Sequence, residues 1–153
     1  MTDNPLPRPS LLRHFMALLY DTLLILPLFM AVTGILVALY GPTDAALEPS
    51  VPKPLSWLAY LLVLVAFYTL FWRKSGQTLG MQAWRIQVRS SDGSGLSYRQ
   101  CFIRLAVAFL SLMMVGLGFI WRYVDSQKRY WHDRASATEL VLLPKRGKKQ
   151  TPP

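Results

Sequence analysis

One cysteine, Cys101, and two histidines, His14 and His132, are all the thiol and imidazole groups this 153-residue chain carries. A single thiol excludes an internal disulfide and any cysteine-based metal cage. Two imidazoles argue against a histidine-rich metal site. Acidic residues are also scarce: eight Asp and Glu stand against seventeen Lys and Arg, a formal charge of +9. No nucleophile stands out. Ser111 lies in an apolar run, and Cys101 has no evident activating base. The chain has no internal repeat and lacks the Gly-x4-Gly-Lys-Ser/Thr spacing of a phosphate cradle. No catalytic residue, cofactor or metal is therefore expected, and the chain does not read as an enzyme.

What remains is apolar and basic: 52% hydrophobic residues, a mean hydropathy of +0.27 and a pI near 10.1. Nucleic acid is not the expected partner, because the apolar runs leave little surface for a basic groove. A small membrane protein fits better, since cytoplasmic flanks of spanning helices collect Lys and Arg. Thr22 to Tyr40 is nineteen residues without a formal charge, Leu55 to Trp72 eighteen, and Leu105 to Trp121 seventeen. A helix needs about 20 apolar residues to cross a bilayer core. The first two runs pass, flanked by Trp57, Tyr60, Tyr68 and Trp72 at interface depth. The third is marginal. The acidic, proline-rich stretch Gly41 to Pro54 forbids one continuous helix, so the first two runs form a helical hairpin. The opening run is too long for a signal h-region and reads as a retained anchor.

Between the second and third runs, Trp84, Ile86 and Val88 alternate with Arg85, Gln87 and Arg89, which predicts a short strand. Ser91 to Gly95 reads as a turn, and Ser97-Tyr-Arg-Gln100 as a capping box with a helix starting at Tyr98. Thr138 to Leu143 is a second β-prone piece. The expected architecture is an all-α polytopic membrane protein with a small cytoplasmic β element. Helices are expected over about 11–40, 55–73 and 98–124, within a domain of residues 10–143. A flexible segment, 1–9, precedes it and a disordered basic tail, 144–153, follows. That tail either is simply solvated or rests on anionic lipid.

Charge counting bears on the third run. If it crosses fully, with the N-terminus inside, basic residues divide almost equally between the two sides. If it dips in and returns, only Lys53 lies outside. The positive-inside rule favours the second arrangement. Val115-Gly-Leu-Gly-Phe119 offers a place for a turn, tolerated at depth only where protein buries the freed backbone groups. A broken, re-entrant segment is the expectation, with one short spanning helix as the alternative. Re-entry also lets Trp84–Arg89 pair with Thr138–Leu143.

Asp21 lies beside the first apolar run, where a carboxylate is costly unless partnered, protonated or hydrated. His14, seven positions earlier, shares nearly the same helix face. Arg13 lies about 12 Å back along the axis and leans away, so Arg104, opening the third run, is the better partner. Asp21 is expected to pair with Arg104 or Arg13. Such pairing would either fix the packing or tune a carboxylate on an ion path.

Arg13, Asp21, Gly76-Gln-Thr-Leu-Gly80, Val88 with Asp92-Gly93, Arg104 and His132-Asp-Arg-Ala-Ser-Ala-Thr138 together resemble the RDD family of membrane proteins. The resemblance runs over about residues 8–143. The arginine and two aspartates that name the family map onto Arg13, Asp21 and Asp133, with Asp125 as a rival for the last. It implies a multi-pass protein of the bacterial inner membrane, N-terminus cytoplasmic. Transport has been proposed for the family, including sodium–proton exchange in some members. Gly76 and Gly80 are expected to allow a tight reversal below the second helix. Asp133 is expected to cap a turn or to pair with Arg99 or Arg104, rather than to act with His132 as an acid–base site. The functional polar cluster is thus Arg13, Asp21, Arg104, His132 and Asp133. Ion or small-solute transport is the leading expectation and a membrane adaptor or assembly subunit the alternative. The partners expected are the bilayer, anionic lipids, and either further copies of the chain or another membrane protein.

Overall fold

The computed structural model describes residues 6–41 and 51–144. Helix α1, Leu11–Tyr40, starts where the Ser10 hydroxyl accepts the Arg13 amide at 3.3 Å. It ends at Gly41, whose φ of +93° an L side chain rarely adopts. Helix α2, Lys53–Ser75, begins after Pro52 with Pro54 in its first turn, where a missing N–H costs nothing. Arg73 and Lys74 in its last turn suit the helix dipole. Both helices are long and apolar enough to cross a membrane. The Thr33 and Tyr60 hydroxyls meet at 2.8 Å between them, a polar contact worth keeping away from water.

Below α2 the chain reverses. Gly76 takes φ +70° and ends the helix, and a Cβ there would meet the Val88 carbonyl at 2.5 Å. That carbonyl belongs to strand β1, Ile86–Ser90, which pairs antiparallel with β2, Thr138–Leu142, in the register Val88 to Leu140. The strands expected at 84–89 and 138–143 do pair. Between α2 and β1 lies a short helix, α3, Leu79–Ala83, which the sequence reading did not include.

Helix α4, Tyr98–Met113, opens on the expected capping box of Ser97 and Gln100. The third segment is broken, not straight. Val115 and Gly116 both take positive φ, and the chain bends by 107° between α4 and a second helical piece. That piece is α5, Leu117–Ile120, followed by a 3₁₀ turn, Trp121–Tyr123. The Ser111 carbonyl freed by the break accepts the Gly116 amide at 2.8 Å. The chain then returns through α6, Trp131–Ala135, to β2. The broken segment expected over about 98–124 is thus two helical pieces joined by a bend, and the single straight helix held as the alternative is not formed.

This return gathers the basic elements at one end of the α1–α2 hairpin. A core of Trp72, Met81, Ile86, Val88, Leu96, Tyr130 and Leu140 forms there. The N-terminal stretch joins it, against the expectation of flexibility through residue 9. Pro7 accepts the Leu142 amide at 2.8 Å, Arg8 pairs with Glu139 at 3.0 Å, and buried Pro9 accepts from Arg122 at 2.7 Å. Residues 1–5, most of the predicted outer loop and the basic tail from 145 onward lie outside the described residues.

Candidate functional site

Two polar clusters are buried at this end. Asp21, 1% exposed, projects from α1 toward α3. Its Oδ2 accepts the Thr78 hydroxyl at 2.6 Å and its Oδ1 accepts the Gly80 amide at 2.9 Å. Thr78 is also the N-cap of α3, its Oγ1 accepting the Met81 amide. A helix start leaves amides unsatisfied, and Thr78 and Asp21 supply acceptors for two of them. Gly80 permits the approach: a Cβ there would collide with the Ala17 carbonyl and lie 2.8 Å from Asp21 Oδ1. Gly76 and Gly80 thus serve close approach, as expected. The pairing of Asp21 with arginine is corrected. A hydroxyl and an amide satisfy the carboxylate because α3, unseen in the sequence, brings them there.

Arg104, 2% exposed, is committed elsewhere. Its guanidinium donates to Asp133 Oδ1 at 2.5 Å and to the Thr138 hydroxyl at 2.6 Å. It also lies 5.4 Å from the centre of the Trp72 ring. Asp133 Oδ2 accepts the Tyr130 amide and so caps α6. Both structural roles expected of Asp133 are met, with Arg104 and not Arg99 as its partner. Asp125, the rival aspartate, instead bonds the Arg129 amide and Arg134. Ser136 links the Thr138 hydroxyl at 2.7 Å to the His132 carbonyl. Arg13 belongs to neither cluster. Its guanidinium has no hydrogen bond or ion pair among the described residues, and only its amide is engaged, at the cap.

Arg122 was not foreseen as a site residue. It holds the Pro9 carbonyl and the Tyr130 hydroxyl, the latter at 2.5 Å. Nothing local in the sequence marks it; the partners are brought by the third segment's return. Thr78 was legible in principle, since a threonine two residues before a close-packed glycine is a plausible cap.

His14 and His132 stand beside these clusters. Their rings are 6.1 Å apart, and His132 stacks on Tyr130 at 5.1 Å. Burial, then the nearby Arg104 charge, holds the His132 imidazole well below the usual histidine range, so it is neutral near pH 7. An acid–base pairing of His132 with Asp133 is not what the geometry builds: Nε2 lies 3.7 Å from the carboxylate, which Arg104 already occupies. A cavity of about 230 Å³ lies between α1, α2 and α4 and is lined by Asp21, Arg104, His14, His132 and Trp72. Among the described residues no group of three or more His, Cys, Asp or Glu could hold a metal.

Two apolar spanning helices, a bent third segment and a folded polar base together define a multi-pass membrane protein. The chain matches the RDD family over residues 8–137, and it belongs to that family. No curated protein and no solved structure is detectably similar to it.

Proposed function

We propose that the protein moves an ion or small solute across the bacterial inner membrane with proton coupling, acting without covalent chemistry. One observation supports this above others: Asp21, His14 and His132 line a single cavity at the base of the spanning helices. Ionisable groups at membrane depth are expensive and mark ion or proton paths. Asp21 is the proposed coupling carboxylate. Every described Lys and Arg except Lys53 lies at the end bearing the N-terminus, which supports a cytoplasmic N-terminus. Two spanning helices enclose little volume, so transport requires several copies of the chain. The basic end suits contact with anionic lipid and not with nucleic acid.

The test is purified protein in liposomes enclosing a pH-sensitive dye. Adding sodium or potassium outside should drive proton movement, and Asp21→Asn should abolish it while leaving the protein folded. Absence of movement in the wild-type protein at every protein-to-lipid ratio would refute transport. A second reading then stands: a membrane adaptor or assembly subunit. It is favoured by the full use of Asp21 and of the Arg104–Asp133 pair in holding the chain together. It predicts copurification with a particular membrane protein and no flux.

A further inference from the structure

Arg104 and Arg122 are the buried arginines among the described residues, and only Arg104 has a counter-ion. Arg122 is 7% exposed, and no described carboxylate lies within ion-pair distance of it. Its Nη1 donates to two neutral acceptors, the Pro9 carbonyl and the Tyr130 hydroxyl. The Tyr130 ring, 5.1 Å away, offers only a face. Arg122 Nε and Nη2 make no hydrogen bond among the described residues, and neither is among the side-chain atoms closed off from the surface. A charge taken out of water without a partner is costly. A buried guanidinium with free, reachable donors therefore points to an anion from outside the described chain.

The surroundings suit an anion. Arg122 lines a pocket of about 250 Å³ with Ser10, Leu11, Tyr123, Asp125 and Lys128. Ser10 caps α1, and the Leu11 and Leu12 amides that follow it make no hydrogen bond among the described residues. The positive end of a 30-residue helix thus opens at the pocket. Lys128 adds an exposed ammonium without an ion pair among the described residues. Asp125 opposes an anion, but it is already engaged by Arg134 at 3.1 Å and by the Arg129 amide at 2.9 Å.

The pocket's edge identifies what carries the anion. Leu11 and Tyr123 also line an apolar groove of about 590 Å³ between α1 and the bent third segment. Leu12, Phe15 and Ile120 on that groove are 68%, 59% and 53% exposed. Because α1 is a spanning helix, its first turn lies at headgroup depth and the groove lies at acyl depth. We propose that the pocket binds the phosphate of a membrane phospholipid, with an acyl chain along the adjoining groove. Arg122 and Lys128 supply the charge, and the start of α1 supplies backbone donors. A free phosphate would use the pocket and leave the groove as it is; a lipid without phosphate would do the opposite. The inference deepens the contact of the basic end with anionic lipid and rests on that end meeting the headgroups; it does not depend on flux.

Native mass spectrometry of the intact protein in detergent tests this, with titrations of dioleoylphosphatidylglycerol, dioleoylglycerol and inorganic phosphate. One phosphatidylglycerol per chain is expected. Dioleoylglycerol should bind at least about tenfold more weakly, for want of the charged hydrogen bonds. Inorganic phosphate should be weaker by at least about tenfold as well, having no apolar surface to bury. Arg122→Gln should weaken phosphatidylglycerol about tenfold. Arg122 also holds Pro9 and Tyr130, so that variant can fail to fold. Lys128→Gln leaves those contacts alone and should weaken binding about fivefold, the worth of one basic group at a lipid surface. Lys74→Gln removes the same charge from an exposed position outside the pocket and should leave binding unchanged. Equal binding of dioleoylglycerol would overturn the phosphate, and equal binding of inorganic phosphate would overturn the lipid. Equal losses in Lys128→Gln and Lys74→Gln would overturn the site and leave a diffuse basic surface. Proton flux without this binding would sink the inference and keep transport. Binding without flux would do the reverse.

Discussion

Replacing Asp133 by alanine tests whether the buried ion pair holds the base of the fold together. The carboxylate is 1% exposed and accepts from Arg104 and from the Tyr130 amide. Removing it leaves a guanidinium 2% exposed, with the Thr138 hydroxyl and the Trp72 face as its remaining contacts. Breaking one side of such a pair costs about 3–5 kcal/mol, because the other charge is stranded away from water. A protein stable by about 5–15 kcal/mol loses a large share of that. Arg104→Met should cost a similar amount. The double variant Arg104→Met with Asp133→Leu strands no charge. It leaves the Tyr130 amide unsatisfied, at about 1–3 kcal/mol, while the Thr138 hydroxyl keeps Ser136. It should therefore be more stable than either single variant, with a coupling energy above about 2 kcal/mol. Reversible unfolding in detergent, followed by tryptophan fluorescence, measures all four proteins. Single variants within about 1 kcal/mol of wild type, or a double variant equal to the sum, would refute this account.

Gly80→Ala should destabilise by about 1–3 kcal/mol, since the added carbon meets Ala17 and Asp21. Gly34→Ala, with nothing within 4 Å, should not destabilise, and the same unfolding assay compares them. Stability should also fall in mild acid. Folding depresses the His132 pKa, so below about pH 6.5 the unfolded chain binds the proton that the native one refuses. The loss, up to about 1.4 kcal/mol per pH unit, should shrink in His132→Phe; identical slopes between pH 7 and 5 would count against it. In a Cys101→Ser background, cysteines at Ser94 and Ser126 should be labelled by an impermeant reagent from one side of the membrane and a cysteine at Lys53 from the other. Labelling of Ser94 and Ser126 from opposite sides would overturn the re-entrant return.

Much of the architecture was legible because it rests on local rules. Pro52, Pro54 and the apolar runs delimit the hairpin, and Ser97 with Gln100 marks the start of α4. Alternation at 84–89 announces β1. The bend was legible through charge, since a straight third helix divides the basic residues almost equally between the two sides, and through Val115-Gly-Leu-Gly-Phe119, which offered a place for it. The partner of Asp21 was misjudged for a physical reason. A buried carboxylate suggests a cation, yet two neutral donors can satisfy it, and those donors come from a five-residue helix too short to show an apolar period.

Composition and hydropathy, without coordinates, determined that the chain enters a membrane, where its two spans lie, and that its charge gathers at one end. These depend on how each segment partitions between water and hydrocarbon, and partitioning is additive along a chain. Only the tertiary structure decided which charges meet. Asp21 finds Thr78 and Gly80 because α3 turns back against α1 below the hairpin, and Arg104 finds Asp133 and Arg122 finds Pro9 because the third segment bends back and closes the sheet. Contacts between residues 29 to 113 positions apart depend on that packing, and no local pattern encodes it.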